Sequence, residues 1–439
     1  MKSTTPPPIA PPEPTPPLAP AVSTLTNYRW IICALLFFAT SINYIDRQIL
    51  SLLKPILDEQ LGWTNEQFGM VNSVFQASYG LSLFFFGWFV DKYSTKVGYA
   101  VSIAAWSVAA IGHAFVNSIG GFFGMRIALG LGEGGNFPSA IKATAQWFPQ
   151  KERALATSLF NSGANVGAIV APAIVPPIAY SLGWHWAFVF AGVAGFAWLL
   201  LWWPLFDTPE RSRRVSPAEL LLIESDAPDP SEGTGKLKWG SVLRHRQAWS
   251  FIVGKFLTDP VWWFFLTWLP DFFKKTRGLD IKNSWVLLVS IYAIVTVLSI
   301  FGGWVSGFLV SQGWNVTRAR KTSMFVFALM VIPLAFVKNV GDWPAVFIIG
   351  LAGAAHQAWS ATLYTTVSDM FPKRAVATLT GIGGAAGSIG GIGFPIIVGK
   401  VLDAGPGGYA LVFGFCSLAY VVAFVVHHLL APRFDRVSI

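Results

Sequence analysis

Charged residues and cysteines are scarce in this sequence. Asp, Glu, Lys and Arg make up 12% of its 439 residues, whereas a typical soluble chain has about 25%. The two cysteines, Cys33 and Cys416, stand in separate apolar segments, so the sequence supports neither a disulfide framework nor a thiolate metal site. Hydrophobic residues make up 54% of the chain, with 20 Trp and 36 Phe. This composition indicates a polytopic membrane protein.

The excess of basic residues follows a membrane topology. The net charge is +9, and a nucleic-acid partner is one interpretation of such an excess. With the N-terminus placed in the cytoplasm, most of the 31 Lys and Arg residues fall on cytoplasmic segments, as the positive-inside rule requires. One outer loop breaks the pattern, with Lys274, Lys275, Arg277 and Lys282. The distribution predicts that both termini are cytoplasmic and that there is no nucleic-acid partner.

Proline dominates the N-terminal tail. Residues 1–24 contain nine prolines and one acidic residue. Such a stretch can neither form a helix nor bury apolar area, so we expect a disordered, polyproline-like cytoplasmic tail over residues 1–27. The tail lacks the basic and then apolar pattern of a secretory signal. The first apolar helix is therefore expected to remain in the mature protein.

Twelve apolar segments are long enough to cross a bilayer as helices, which requires roughly 20 residues each. A polar, charged and Pro-containing stretch at 207–247, centred on 226–230, separates six of them from the other six. The sequence thus predicts bundles at 28–206 and 248–431 and a cytoplasmic tail at 432–439. The predicted spans are 29–53, 65–90, 97–116, 119–142, 153–178, 184–206, 248–273, 284–310, 319–338, 343–367, 375–400 and 407–430.

Residues 147–157 and 370–378 resemble each other. Both contain a Phe-Pro pair followed by basic residues, and both lead into a Gly-rich helix at equivalent cytoplasmic loops of the two halves. A parallel repeat of six helices is typical of secondary transporters, whose substrate site lies between the halves near the bilayer midplane. We therefore predict an all-α membrane protein with 12 transmembrane helices, in two six-helix bundles related by pseudo-two-fold symmetry.

An acid and a base stand side by side in the first apolar segment. Asp46 and Arg47 follow Asn43, and a single charge at a helix centre costs about 2.5–3.5 kcal/mol, which makes a substrate or ion pathway the default interpretation. In the fourth segment Arg126 and Glu133 are two turns apart and share a helix face. The helix rise places Asp46 and Arg126 at one depth, with Glu133 deeper. A structural salt-bridge cluster is the alternative, but it leaves Arg47 as a surplus charge.

Other sequence patterns argue against an enzyme. The Gly-rich stretches at 130–135 and 381–384 do not follow a strand in a βαβ unit, which a nucleotide-binding fingerprint requires. Gly383, Gly387 and Gly391 recur at every fourth residue, the small-residue pattern of close helix packing in membranes. No Ser/His/Asp or metal-ligand constellation is evident in the predicted helices. The sequence therefore predicts no enzymatic activity, no cofactor and no metal site.

Polar residues in the second half supply candidate contacts for a substrate. Lys255 and Asp259 are four residues apart and are expected to pair in a structural or gating role. His356 and Gln357 offer hydrogen bonds to a polyol, and Trp359 offers a flat apolar face to a sugar ring. Hydrogen bonding between helices is the rival interpretation for His356. The first half contributes weaker substrate-binding candidates, namely Tyr79, Gln76, Asn161, Asn165 and Asn43.

Residues 87–96, Gly-Trp-Phe-Val-Asp-Lys-Tyr-Ser-Thr-Lys, resemble the glycine–aspartate–basic loop of the major facilitator superfamily. Asp91 of this loop and Arg153 of the repeated motif are expected to have structural or gating roles. The equivalent loop of the second half, at 303–321, lacks a matching aspartate. The resemblance implies the fold of that superfamily, with two six-helix bundles.

A more specific resemblance is to the anion:cation symporter family of that superfamily. It rests on Asn-Tyr-x-Asp-Arg at 43–47, on an arginine with Gly-Glu-Gly at 126–134 and on Trp-Phe-Pro-x-Lys-Glu-Arg at 147–153. In the second half, the motifs at 255–262 and 355–358 look most like those of bacterial hexuronate transporters, which import galacturonate and glucuronate. The resemblance implies a protein of the bacterial inner membrane.

The resemblance also implies residue roles. In proton-driven members, the arginine of the first helix, here Arg47, binds the substrate carboxylate. The aspartate of the first helix and the glutamate of the fourth, here Asp46 and Glu133, are protonation sites. Arg126 is then their charge partner, and Tyr79 lies at the substrate.

The charges inside the predicted helices balance. Three bases and three acids oppose one another: Arg47, Arg126 and Lys255 against Asp46, Glu133 and Asp259. A bound monoanionic sugar acid adds one negative charge, which is unfavourable in a low dielectric. Protonation of Asp46 or Glu133 restores neutrality, and by reciprocal linkage the proton favours substrate binding. The sequence therefore predicts proton symport.

Three functions remain open at this stage. The first is import of a hexuronate, such as galacturonate or glucuronate, by proton symport with alternating access. The second is proton-coupled transport of another organic anion, namely an aldonate such as galactonate, a dicarboxylate or an aromatic acid. The third is a membrane receptor or sensor, but the sequence contains no soluble signalling domain. We expect a monomer whose partners are the small organic anion, protons and the lipid bilayer.

Overall fold

The computed structural model describes residues 25–225, 239–279, 281–371 and 373–437, and in these ranges the regular elements are helical. The first part contains α1 (Tyr28–Leu61), α2 (Asn65–Lys92), α3 (Thr95–His113), α4 (Ile119–Glu133), α5 (Asn136–Trp147), α6 (Gln150–Leu182) and α7 (Trp184–Leu205). A 3-10 turn (Pro209–Arg211), α8 (Pro217–Ile223) and α9 (Trp239–Leu243) follow in the linker. The second part contains α10 (Arg246–Arg277), α11 (Ile281–Ser311), α12 (Val316–Val331), a 3-10 segment (Ile332–Asn339), α13 (Asp342–Met370), α14 (Lys373–Asp403) and α15 (Gly408–Leu430).

The helices form the two six-helix halves that the sequence predicts. Nine of the described helical segments are long and apolar enough to cross a membrane. The three other predicted spans are shorter, interrupted or charged: α3 has 19 residues, the fourth span is divided into α4 and α5, and α10 carries acidic and basic residues along its length. The all-α membrane fold is therefore confirmed. Residues 1–24 of the tail predicted at 1–27, and the centre of the linker at 226–230, lie outside the described residues.

The fourth span is not the continuous helix predicted at 119–142, because it is broken at Gly134 and Gly135. A Cβ on Gly134 would lie 2.5 Å from the Cβ of Ser82 on α2, and a Cβ on Gly135 would lie 2.6 Å from the Cβ of Ser102 on α3. Real Cβ atoms do not approach this closely. The two glycines therefore allow this span to lie against both neighbours, while they weaken its helical regularity.

The first and the last described residues of the chain lie on one side of the molecule, here called the terminal face. At the start of α1, Arg29 pairs with Glu152 at the start of α6 (Nε–Oε2 2.8 Å) and with Glu219 of the linker helix α8 (Nη1–Oε1 2.9 Å). Near the other chain end, the backbone N–H of Val437 donates to the carbonyl oxygen of Met370, the last residue of α13 (2.8 Å). The opposite side, where α1 leads into α2 and α10 leads into α11, is called the distal face.

The two halves contact each other at the distal face. Asp403, the last residue of α14, accepts hydrogen bonds from the backbone N–H groups of Asn65 (3.1 Å) and Glu66 (2.8 Å), which begin α2. A Cβ on Gly399 would lie 2.4 Å from the carbonyl oxygen of Asn65, so this crossing of α14 and α2 requires glycine. Between described residues, the ion pairs that join the halves are Lys54–Asp271, Lys275–Asp58, Lys274–Glu59 and Lys400–Glu66, all at distal helix ends. The distal face is therefore closed in this structure.

Candidate functional site

Arg47 of α1 is paired with Glu133, the last residue of α4. The Arg47 Nε atom lies 2.6 Å from Glu133 Oε2, and the two side chains are 8% and 0% exposed. A charge-assisted hydrogen bond of this length allows both ions to be withdrawn from water. The salt-bridge alternative in the sequence analysis left Arg47 as the surplus cation. That expectation is wrong, because the structure gives Arg47 the direct partner.

Aromatic rings surround the Arg47 guanidinium. Its central carbon lies 4.4 Å from the ring centroid of Tyr79, 5.0 Å from that of Tyr44, 5.4 Å from that of Phe75 and 5.9 Å from that of Trp263. The first three rings belong to the first half, and Trp263 belongs to α10 of the second. Ring faces attract a cation, and the attraction increases when water is absent. The rings therefore hold a planar donor group in place between the two halves.

Asp46 and Arg126 reach the same region, as their depths in the sequence predict. Both are buried, and the Asp46 carboxylate interacts electrostatically with Glu133, Arg126 and Arg47. Several atoms of this centre have no hydrogen-bond partner among the described residues: both carboxylate oxygens of Asp46, Nε and Nη2 of Arg126, Oε1 of Glu133 and the side-chain amide of Asn43. Two acids and two bases therefore meet here with hydrogen-bonding capacity to spare.

A small cavity between the halves lies beside Arg47 and Arg126. Its volume is about 30 Å³, roughly enough for one water molecule. Its lining consists of Tyr44, Arg47, Gln48, Ser51, Asn72, Phe75, Gln76, Arg126, Trp263, Leu266, Thr267 and Pro395. These residues come from α1, α2 and α4 of the first half and from α10 and α14 of the second. Both halves therefore bound this cavity, and a movement of one half against the other changes its size.

Three of the predicted substrate-binding residues lie at this centre. Gln76 is a buried lining residue of the cavity, and the ring of Tyr79 is the closest of those around Arg47. Asn43 is fully buried one turn before Arg47 on α1. Their positions agree with a binding role, which remains a prediction.

His356 and Trp359 lie in the interior of the second half instead. The Nδ1 atom of His356 is 2.6 Å from the hydroxyl oxygen of Tyr420, and its ring stacks on Trp262 with centroids 5.4 Å apart. Trp359 is fully buried and meets the edge of Tyr420 at 5.8 Å. Neither residue lines the cavity. The structure therefore favours the packing interpretation that the sequence left open for His356.

Asn161, Asn165 and Gln357 are also away from the cavity. Asn161 is exposed, and Asn165 and Gln357 are half-buried; none of the three is a lining residue. In this structure they do not share the cavity with Arg47. Their binding roles remain predictions.

The predicted pair in α10 is present. Lys255 Nζ lies 2.9 Å from Asp259 Oδ2, 3.4 Å from the hydroxyl oxygen of Ser360 on α13 and 4.8 Å from the ring centroid of Tyr364. The pairing prediction is confirmed. The other two residues with predicted structural roles, Asp91 and Arg153, have side chains outside what the structure describes.

The distal face contains a charged cluster that the sequence does not predict. Lys54 Nζ lies 2.6 Å from Asp58 Oδ2, 2.9 Å from Asp271 Oδ1 and 3.0 Å from Asn65 Oδ1. The predicted first span ends at residue 53, just before Lys54, and Asp271 lies two residues before the predicted end of the seventh span. Both residues are fully buried. The balance of three bases and three acids left out this pair, whose charges are opposite.

Trp263, Thr267 and Gln48 of the cavity were also missed. Trp263 follows Asp259 by one turn on the same face of α10, and Thr267 follows by another turn. This spacing indicates that Trp263 and Thr267 share a helix face with Asp259. The spacing alone does not distinguish Trp263 from Trp262, which follows Asp259 by three residues, because the rotation of α10 decides which ring faces the other half.

Comparison with known proteins agrees with this architecture. The family model of the Major Facilitator Superfamily matches residues 36–395. The hexuronate transporter of Escherichia coli (strain K12) is 29% identical over 410 residues, 91% of each chain. The D-galactonate transporter of Escherichia coli O6:H1 is 28% identical over 93% of this chain and 97% of its own. A probable galactarate/D-glucarate transporter of Bacillus subtilis (strain 168) is 30% identical over 91% of this chain and 92% of its own.

Solved structures with this fold include two other transporters. The crystal structure of a D-xylose–proton symporter has a TM-score of 0.73 at 13% identity and covers 93% of this chain and 100% of that chain. A bacterial homologue of the human lysosomal transporter Spinster, in an inward-facing and unoccupied conformation, has a TM-score of 0.69 at 17% identity, with coverages of 93% and 96%. These similarities concern the fold. The recognition from motifs and the expectation that the protein is not an enzyme are both confirmed, and the chain belongs to the major facilitator superfamily as a multi-pass membrane transporter.

Proposed function

We propose that this protein imports a sugar acid, specifically a hexuronate such as galacturonate or glucuronate, together with protons. The observation that carries the proposal is the buried Arg47–Glu133 pair beside a cavity between the two halves. A guanidinium presents two parallel donors that match the two oxygens of a carboxylate. The names of the relatives, which are hexuronate, galactonate and galactarate/glucarate transporters, support an organic acid as substrate.

The proposed coupling is a competition for Arg47. A substrate carboxylate that binds the guanidinium displaces Glu133, whose Oε1 already lacks a partner among the described residues. A carboxylate left without a counter-charge in a buried site is costly in its ionised form, so it takes up a proton. Substrate binding therefore promotes protonation of Glu133, and protonation frees Arg47 for the substrate.

Asp46 and Arg126 form the second part of the proposed coupling site. They interact electrostatically without a direct hydrogen bond, so each can respond to a change in the charge of Glu133. Protonation of Glu133 removes a like charge beside Asp46 and leaves two cations near it, so the cost of ionised Asp46 decreases. Asp46 then carries the charge balance of the site while Glu133 carries the proton.

The closed distal face supports a transport cycle by alternating access. We place the terminal face, with both chain ends, in the cytoplasm of a bacterium, as the distribution of basic residues predicts. The closed distal face is then the outer one. Rocking of the halves opens the cavity to one side at a time, and we expect a single chain to be the transporting unit.

Transport of an aldonate or an aldarate is the alternative. It is supported by relatives named as D-galactonate and galactarate/D-glucarate transporters. It keeps the role of Arg47, because these substrates also carry a carboxylate.

Uptake of galacturonate into liposomes that contain the purified protein tests the proposal. Uptake is expected to increase with an inward proton gradient and to be blocked by excess glucuronate but not by glucose. Arg47→Gln is expected to abolish it. Arg318→Gln serves as the control, because Arg318 is an exposed arginine at the start of α12, against the ring of Trp314.

Two outcomes change the proposal. Uptake that ignores the proton gradient rejects symport and leaves a uniporter or exchanger. Failure to transport galacturonate, with uptake of galactonate or glucarate instead, establishes the alternative substrate.

A further inference from the structure

Trp263 supplies the aromatic wall of the cavity on the side of the second half. Among the described lining residues of that half, it is the only aromatic one. Its ring centroid lies 5.9 Å from the guanidinium carbon of Arg47. A substrate whose carboxylate binds Arg47 is therefore brought against this ring.

A glycine of α14 makes room for this ring. A Cβ on Gly391 would lie 3.1 Å from Cδ1 and 3.3 Å from Nε1 of Trp263, which is tighter than ordinary packing. The indole is thus held between α10 and α14 with one side toward the cavity. Trp359, which the sequence suggested for this task, is fully buried elsewhere in the second half.

A flat ring distinguishes cyclic from open-chain sugar acids. A hexuronate in its pyranose form presents a rigid face of C–H groups, whereas an aldonate has no carbonyl with which to close a pyranose and remains a flexible chain. Aromatic side chains contribute most when they meet a flat, apolar surface. We propose that Trp263 is a specificity-determining residue, which stacks on the sugar ring and selects the pyranose form. This inference rests on the proposed function.

Binding measured by calorimetry on the purified full-length protein tests this role. Trp263→Leu is expected to weaken galacturonate binding by about tenfold, equivalent to about 1.4 kcal/mol, and to leave galactonate binding within about twofold of wild type. Trp263→Phe is expected to retain much of the preference. Trp304→Leu is the control, since Trp304 lies on the exposed surface of α11.

The outcomes separate this inference from the proposed function. Suppose that wild type binds both acids. If Trp263→Leu weakens the binding of both equally, or leaves the binding of both unchanged, ring selection is overturned while sugar-acid binding stands. If wild type binds galactonate alone, both the preferred substrate and ring selection are overturned. If wild type binds neither acid, the proposed function itself fails.

A second inference rests on the distal charge cluster and is independent of the substrate. The Lys54–Asp271 pair joins the halves at 2.9 Å, and the side chains are 1% and 0% exposed. Removing one partner from a buried ion pair leaves an uncompensated buried charge, which is strongly unfavourable. Opening of the distal face would leave two such charges if neither ion had another partner.

Each half contains a replacement partner. Lys54 also lies 2.6 Å from Asp58, four residues later on α1. Asp271 lies 3.3 Å from Lys275, four residues later on α10, and accepts a hydrogen bond from the hydroxyl of Tyr409 at 2.5 Å. When the halves separate, each half retains one acid and one base of this cluster on the same helix face. None of these four charges is then left without a partner.

The geometry points to a partner-exchange gate made of Lys54, Asp58, Asp271 and Lys275. The Lys54–Asp271 contact closes the distal face, and the two pairs within the helices keep every ion paired after it opens. The gate is strong in the closed state because its charges are buried, yet it can be released because the two gate charges that remain in each half are opposite in sign.

Reversal of two charges distinguishes this gate from a simple salt bridge. In the double variant Lys54→Asp, Asp271→Lys the attraction across the halves is retained. Each separated half, however, then carries two like charges four residues apart, which repel. The double variant is therefore expected to remain closed at the distal face and to lose transport, whereas Lys54→Met is expected to open the distal face more often.

Distances between spin labels on the purified protein report the opening. Labels at Leu182→Cys and Trp343→Cys, exposed positions at the distal ends of α6 and α13, require that Cys33 and Cys416 be replaced by Ala. Glu59→Gln is the control, because the Glu59 side chain is 73% exposed and is expected to matter little. Gel filtration confirms that each variant is folded.

The gate is supported if Lys54→Met raises the fraction of long distances and the double variant eliminates it. The gate is overturned if the double variant populates the long distances as wild type does. It is also overturned if Lys54→Met leaves the distribution unchanged.

Discussion

In the proposed mechanism Glu133 has two tasks, to pair with Arg47 and to carry a proton, and it can perform only one of them at a time. In the structure its Oε2 neutralises Arg47, while its Oε1 is unpartnered among the described residues. Because only one of its oxygens is bonded to Arg47, Glu133 is suited to release Arg47 when a substrate carboxylate binds. The neighbouring Asp46 differs from Glu133, because neither of its oxygens is hydrogen-bonded to a described residue.

Replacement of Glu133 by Gln is expected to separate binding from coupling. The amide is similar in size and cannot be ionised, so Arg47 stays available to a substrate carboxylate. Binding and exchange of galacturonate in liposomes should be retained, whereas accumulation driven by a proton gradient should be lost. Glu152→Gln, at the terminal face, is a matched control. Accumulation that persists in Glu133→Gln would contradict the assignment of this residue to coupling.

At the scale of the helix, glycines determine how closely the spans of the first half approach. The junction of α4 and α5 lies against α2 and α3 through Gly134 and Gly135, with no room for a Cβ. Because Glu133 immediately precedes this junction, the same close approach fixes the position of the acid that pairs with Arg47.

Gly135→Ala is expected to destabilise the protein, since overpacking costs typically about 1–3 kcal/mol. Gly124→Ala is the matched control on α4, because a Cβ at Gly124 meets nothing within 4 Å. It should be neutral or stabilising by up to about 1 kcal/mol, as replacement of a helical glycine usually is. Thermal unfolding of the two purified variants provides the comparison. Equal melting temperatures would show that the junction is not closely packed.

A buried acid of the short linker helix α8, Glu219, attaches this helix to the first half. Burial disfavours the ionised form of Glu219. Hydrogen bonds from the Thr26 hydroxyl, from the backbone N–H groups of Arg29 and Tyr28 and from the Arg29 guanidinium outweigh burial and hold the pKa of Glu219 below its usual value. Its charge therefore stabilises the attachment at neutral pH.

Glu219→Gln is expected to weaken this attachment by about 1.5–3 kcal/mol, the typical contribution of a hydrogen bond to a charged group. Because the pKa is lowered by folding, the stabilisation is fully present above the unfolded pKa of about 4.3 and disappears as the pH falls through the folded value. The difference in melting temperature between wild type and variant should therefore be present at pH 7 and shrink in acid. A difference that grows in acid would contradict this origin.

At the scale of the whole molecule, the sequence predicts the fold better than the contacts. Apolar runs and one polar linker are sufficient to define two sets of six helices, because a bilayer leaves few alternatives to a bundle. Helix periodicity also brings Asp46, Arg47, Arg126 and Glu133 to one region. It does not decide whether Arg47 or Arg126 pairs with Glu133, since this depends on helix rotations of a few tens of degrees.

Contacts across the halves are the hardest to predict. Lys54 and Asp271 are 217 positions apart in the chain, and no local pattern links them. Trp263 and Trp359 are both tryptophans in apolar segments, yet only the former faces the other half. Such assignments need the relative placement of the bundles, which exists only in the folded molecule.

The closed distal face also has a use as an epitope. Asp403 of one half caps the start of α2 in the other, and the exposed Lys274–Glu59 pair lies beside it on the same surface. A recognition surface assembled from both halves exists only while they touch. A nanobody that requires contacts on both sides of this seam would therefore recognise one conformation alone, and its binding would serve as a label-free sensor of the transport cycle.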